Sequence, residues 1–100
     1  GHQLVDCVVS GAGKEGVELY GMDYTIEGCL AHDNRGNGIS GLGGMGWWLR
    51  DNEARDNDGN GILIGWGATD NGGNRGSGNR GLRQARAVVQ CEINGVPCRP

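Results

Sequence analysis

The chain has 100 residues, a formal net charge of −3 and only 36% hydrophobic residues, with 22 glycines and no phenylalanine. That length holds one domain, 1–100, at most. Acidic and basic residues are mixed along it, so there is no basic patch for nucleic acid, and no apolar run approaches the ~18 residues of a membrane span.

Gly1-His2 reads as the remnant of a purification tag, which puts the natural start near Gln3 or upstream. A first unit runs over about 4–23, with turn signals at Gly11-Ala12-Gly13 and Gly21. A second, about 24–46, carries the run Ala31-His32-Asp33-Asn34-Arg35-Gly36-Asn37-Gly38-Ile39 and ends in a glycine-rich turn over 41–46. A third, about 47–68, starts at Trp47-Trp48 and ends near Trp66. It repeats the run 23 residues later as Ala54-Arg55-Asp56-Asn57-Asp58-Gly59-Asn60-Gly61-Ile62, differing only at His32/Arg55 and Arg35/Asp58. The fourth unit, about 69–93, is weak. Residues 69–83 are rich in Gly, Asn and Arg and fit either an ordered turn or a mobile loop. Ala85, Ala87, Val88, Val89 and Ile93 give the last strand signal.

A period this long means stacked structural units rather than one closed core. Glycine costs about 1 kcal/mol in a helix interior, and no long 3.6-residue period appears. Short strands joined by turns are expected instead, with Gly and Asn where the chain bends sharply. If each copy is one coil, equivalent positions stack about 4.8 Å apart. The stacks are Leu4/Ile26/Leu49, Val9/Ala31/Ala54 and Val17/Ile39/Ile62, all apolar, with Leu19/Gly41/Ile64 on the same face. The positions between, Ser10/His32/Arg55 and Glu18/Ser40/Leu63, are mostly polar. That alternation describes a coil with one inward face. Asn34 and Asn57 stack as an amide ladder, and Asn37 and Asn60 are placed to form a second one.

The cysteines divide into two pairs. Asn94-Gly95 is a strong two-residue hairpin signal. It sets Ile93 opposite Val96, Glu92 opposite Pro97, and Cys91 opposite Cys98, within disulfide range. A C-terminal β-hairpin over 91–98 with that bridge is the expectation, and it points to export from the reducing cytosol. Cys7 and Cys29 stack with parallel Cβ vectors, which favours a buried thiol ladder over a bridge.

The run Asp-Asn-x-x-Asn-Gly-Ile at this spacing resembles the right-handed parallel β-helix repeats of bacterial extracellular proteins, among them pectate lyases, polygalacturonases and alginate epimerases. The resemblance covers about residues 4–82. It implies an all-β fold: a short right-handed parallel β-helix of about 3–4 coils of roughly 20–23 residues each, closed by the C-terminal hairpin. It also implies an extracellular or periplasmic location. The catalytic patterns of those families are missing. There is no Asp-Pro-His-Glu, no Asn-Thr-Asp, no Asp-Asp and no set of calcium carboxylates near an arginine. Arg50 and Arg55 beside Asp51 and Asp56 are only a loose echo. No catalytic residue and no metal ligand set is therefore assigned. No cofactor is expected, calcium being the one ion kept open.

Two groups of residues remain as candidates for binding. Asp33 and Asp56 occupy equivalent turns, where stacked carboxylates can act as an acid and a nucleophile, hold a cation or meet a sugar, or simply belong to a charge-balanced turn ladder in which Arg35 stacks over Asp58 and His32 over Arg55. Trp47, Trp48 and Trp66, with Tyr24 aligned to Trp47, could stack on sugar rings, pack over a coil, or meet a second copy. The leading reading is a non-catalytic β-helix module of a bacterial exported protein that binds polysaccharide. A fragment of a polysaccharide lyase, hydrolase or epimerase is the enzymatic alternative, and a self-assembling solenoid unit the structural one. Four coils make a short column with an open upper edge at Leu4–Val9, so a homo-oligomer, most simply a two-fold dimer, is expected.

Overall fold

A computed structural model describes residues 2–42, 45–82 and 84–99. Every element in it is a short β-strand, thirteen in all among the described residues. The first rung holds β1 (His2–Val5), β2 (Val8–Ser10) and β3 (Val17–Leu19). The second holds β4 (Tyr24–Glu27), β5 (Leu30–His32) and β6 (Ile39–Gly41), and the third β7 (Trp47–Arg50), β8 (Glu53–Arg55) and β9 (Ile62–Ile64). The fourth holds β10 (Ala68–Asp70), β11 (Arg75–Ser77) and β12 (Cys91–Ile93), and β13 (Val96–Pro97) follows. Strands of successive rungs pair in parallel into three sheets, β1-β4-β7-β10, β2-β5-β8-β11 and β3-β6-β9-β12, with β13 added antiparallel to β12. The chain is thus a parallel β-solenoid of about three turns.

The register follows the repeat. Leu4 pairs with Ile26 and Ile26 with Leu49, Val9 with Ala31 and Ala31 with Ala54, and Val17 with Ile39 and Ile39 with Ile62. Ile26, Ala31, Ile39, Leu49, Ala54, Ile62 and Ile93 are fully buried along the axis. The Leu19/Gly41/Ile64 column has a gap at Gly41, and the Trp47 ring fills it. A Cβ on Gly41 would lie 2.6 Å from that ring. The Trp47 indole N–H donates to the Gly21 carbonyl at 2.7 Å, so its one polar atom is satisfied inside the core.

The corners obey a second rule. The turns after the first sheet place Asp6, Gly28, Asp51 and Gly73 at positive φ, and those after the second do the same with Gly11, Asp33, Asp56 and Gly78. Glycine and aspartate are among the residues that tolerate this left-handed geometry. The residue after each corner turns inward. After the second sheet it is asparagine three times, and Asn34, Asn57 and Asn79 form a continuous ladder. The Nδ2 of Asn34 donates to Asn57 Oδ1 at 2.9 Å, and that of Asn57 to Asn79 Oδ1 at 2.8 Å. After the first sheet Asn52 and Asn74 repeat the arrangement at 2.9 Å, below the free thiols of Cys7 and Cys29. Asn37 and Asn60 are linked differently from the expectation. The Asn60 backbone N–H donates to Asn37 Oδ1 at 2.8 Å, and the Asn60 side chain turns instead to Gln84 at 3.1 Å.

The fourth rung corrects two expectations. The segment 69–83 is neither a turn nor a loop throughout, because β11 pairs with β8 within it. The apolar residues 85–89 are not in a strand, and Ala85, Ala87 and Val88 are exposed. After Asn79 the chain leaves the column and returns at Cys91, opposite Ile62. The interval is 29 residues there against 22 at the Asn57–Asn79 step. The excursion closes the lower end of the column. Gln90 Oε1 accepts from Asn79 Nδ2 at 2.9 Å, Gln84 meets Asn60, and Asp70 Oδ1 accepts from Asn74 Nδ2 at 2.8 Å. Each ladder therefore ends on a side chain rather than on an unpaired amide. The hairpin forms as expected, with Glu92 opposite Pro97 and Ile93 opposite Val96. Asn94 and Gly95 are both at positive φ, and Cys91 and Cys98 are bridged with Cα atoms 5.4 Å apart.

Candidate functional site

The aromatic residues singled out from the sequence do not share one surface. Of the three roles left open for the tryptophans, Trp47 takes the packing one: it is 1% exposed, because strand alternation that turns Leu49 inward turns Trp47 inward too. Tyr24 packs edge-on against it, with ring centroids 5.1 Å apart. Trp48 points the opposite way, 40% exposed on the outer face of the first sheet between Thr25 and Thr69. Trp66, 75% exposed, stands at the turn from the third sheet back to the first. Asp33 and Asp56 lie at the corners after the second sheet, away from both exposed tryptophans. Asp33 takes a 2.6 Å hydrogen bond from His32 Nδ1, and Asp56 faces Arg55 at 3.9 Å. Their positive φ and their place before Asn34 and Asn57 give them a structural task. Among the described residues no three His, Cys, Asp or Glu side chains converge as a metal site would require.

The concave feature lies on the outer face of the third sheet. There the outward positions of β3, β6, β9 and β12 stack as Glu18, Ser40, Leu63 and Glu92. They form the floor of an open cleft of about 570 Å³. Tyr20, Leu42 and Trp66 line one side and Asn37 contributes to its lining as well. The position of Trp66 is set from below: its ring lies against Gly95 of the hairpin turn, where a Cβ would come within 3.0 Å. The adjoining Gly67 N–H donates to Asn94 Oδ1 at 3.0 Å. The disulfide-bonded hairpin thus supports the aromatic wall.

The polar groups of the cleft are few and placed. The Tyr20 hydroxyl donates to a Glu18 carboxylate oxygen, and this bond raises the phenol above its ordinary pKa. Ser40 is 8% exposed and lines the cleft floor. An exposed aromatic plane beside a hydroxyl and two carboxylates suits a ligand with apolar ring faces and polar edges. The arrangement does not suit glycoside hydrolysis by this pair of carboxylates. Glu18 and Glu92 lie on strands three rungs apart, about 14 Å at ~4.8 Å per rung, beyond the ~5–9.5 Å of hydrolytic carboxylate pairs.

Reading the sequence missed this cleft. Glu18, Ser40 and Leu63 were recognised as an outward stack, but Glu92 joins them only after the inserted excursion, and Tyr20 carried no signal of its own. No match was found among curated proteins or among solved structures. The family described as "Right handed beta helix region" matches residues 1–94. With three parallel sheets, inward apolar stacks and asparagine ladders over that same span, the chain belongs to the right-handed β-helix family.

Proposed function

We propose that this chain is a non-catalytic β-helix module of an exported protein and that it binds polysaccharide in the cleft of the third sheet. The observation that carries the reading is the pairing of exposed Trp66 and Tyr20 with the Ser40 hydroxyl and the two glutamates along one cleft. Sugar rings present apolar faces that stack on an indole and hydroxyl rims that need acceptors and donors. The Cys91–Cys98 bridge supports an oxidising compartment. The rigid column supports the binding role, because a preformed cleft spends little ordering entropy on its ligand.

A glycan array on the folded chain, followed by titration of the best ligand, tests this. Trp66→Ala should weaken binding at least about tenfold, the loss expected when one aromatic contact worth ~1.4 kcal/mol is removed. Trp48→Ala, on another face, should leave affinity unchanged. Equal binding by the Trp66 variant and the unsubstituted chain would refute the cleft as the site. Absence of binding to any glycan would refute the function.

A further inference from the structure

We infer that Asn94-Gly95 is a modification site, where the chain forms a succinimide spontaneously, and that the isoaspartyl product withdraws the support beneath Trp66. The sequence holds four Asn-Gly pairs, Asn37-Gly38, Asn60-Gly61, Asn71-Gly72 and Asn94-Gly95. In such a pair the glycine main-chain nitrogen can close a five-membered ring on the preceding side-chain amide, once it has given up its proton. Three of the four nitrogens are held as donors. Gly38 N–H donates to the Asn60 and Gly61 carbonyls at 2.9 and 3.1 Å, and Gly61 N–H to the Val89 carbonyl at 2.9 Å. Gly72 N–H donates to Asp70 Oδ1 at 2.9 Å. A bond that needs the proton disfavours its loss, most of all where the acceptor is a carboxylate. Gly95, in the exposed hairpin turn, donates to no acceptor among the described residues.

The receiving amide is also prepared. Asn94 Oδ1 accepts the Gly67 N–H at 3.0 Å, a donor aimed at the oxygen that turns negative when the nitrogen adds. Asn37 and Asn60 have donors on Oδ1 as well, so the unengaged glycine N–H is what separates the sites. Solvent base takes the Gly95 proton, the nitrogen bonds to Asn94 Cγ, and the Cγ–Nδ2 bond breaks to release ammonia. Water then opens the imide at one carbonyl to give aspartate or at the other to give isoaspartate. The two products act differently on the hairpin. Aspartate keeps the main chain and an acceptor for Gly67. Isoaspartate adds a methylene to the main chain of a two-residue turn whose residues are both at positive φ, and such a turn fixes the register of its strands. It also turns Oδ1 into a main-chain oxygen, which removes the bond to Gly67. Gly95 touches the Trp66 ring so closely that a Cβ would lie 3.0 Å from it, so the displaced turn takes the floor from under that ring.

The experiment is incubation of the full folded chain in mildly alkaline buffer, with the products mapped by peptide mass spectrometry that separates isoaspartate from aspartate. A second sample is unfolded in urea with its disulfide reduced. There the four pairs should react at similar rates, because only their shared sequence acts. In the folded chain Asn94 should react about tenfold faster than Asn37, Asn60 or Asn71. Faster reaction at another pair, or an Asn94 no more reactive than the rest, would overturn the site. The support of Trp66 is read on the isolated isoaspartyl form, which should melt below both the unmodified chain and Asn94→Asp. Equal melting of all three would overturn the loss of support. The effect on binding rests on the polysaccharide reading: the isoaspartyl form should hold the best glycan about tenfold more weakly, and Asn94→Asp should hold it normally. Absence of any glycan binding by the unmodified chain would overturn that reading alone, since the peptide map and the melts decide the modification without a ligand.

Discussion

Replacing Asn57 with leucine should destabilise the column more than any exposed polar substitution. The Asn57 side chain is fully buried and makes four hydrogen bonds. Its Oδ1 accepts from the Asn34 backbone N–H at 3.1 Å and from Asn34 Nδ2 at 2.9 Å. Its Nδ2 donates to the Ala31 carbonyl at 3.1 Å and to Asn79 Oδ1 at 2.8 Å. In Asn57→Leu, Asn79 Oδ1 keeps the donor from the residue 57 backbone, and Asn34 Nδ2 keeps the Val9 carbonyl at 3.3 Å. Two donors are left stranded, the Asn34 backbone N–H and the second Asn34 Nδ2 hydrogen. At about 1–3 kcal/mol for each buried unsatisfied group, the loss is about 2–6 kcal/mol. Leucine is of similar volume and recovers part of this. A domain of this size loses about 4–8 °C of melting temperature per kcal/mol, so thermal melts followed by circular dichroism should show a drop on the order of 10 °C. Gln90→Ala removes the last member of the same ladder, but water reaches that half-buried end, and about 0.5–1.5 kcal/mol is expected. A drop under about 4 °C for Asn57→Leu, or a larger one for Gln90→Ala, would show that the ladder is not what holds the coils together.

The corner glycines divide by what surrounds them. Gly38→Ala should cost about 1–3 kcal/mol, because its Cβ would meet Ala54 and Asn57 at 2.7 Å each, whereas Gly13→Ala has open space and should be neutral or slightly stabilising by chemical denaturation. Burial pushes the Cys29 thiol up to about 11 from an ordinary value of 9.0. Its contribution is therefore fully present below pH 9.0 and is lost as pH rises towards about 11, and below pH 9.0 iodoacetamide should label Cys7 well before Cys29. Equal labelling rates in the folded chain would contradict the burial argument.

The repeat by itself determined the coil length, the register and the identity of the inward columns. In a parallel stack one offset places every residue, and a side chain's face follows from its parity along the strand. The Asn34–Asn57 ladder and the Asn94-Gly95 hairpin were legible for the same reason: they depend on local spacing alone. The inward face of Trp47 was legible too, two positions before Leu49 in the same strand, although composition alone left packing and sugar stacking both open. Asn52 follows from the same offset as the next member of the Cys7/Cys29 column, but its amide bond to Asn74 was not legible, because the fourth copy of the repeat is too faint to fix its register. What only the tertiary structure decided is the lower end and the cleft. The excursion between Asn79 and Cys91 breaks the constant offset, so no periodicity could bring Glu92 beside Leu63, or Gln84 and Gln90 beneath their asparagines. The same return of the chain seats the hairpin under Trp66. A surface assembled across a break in the repeat depends on where the chain comes back, and that is set by packing rather than by spacing.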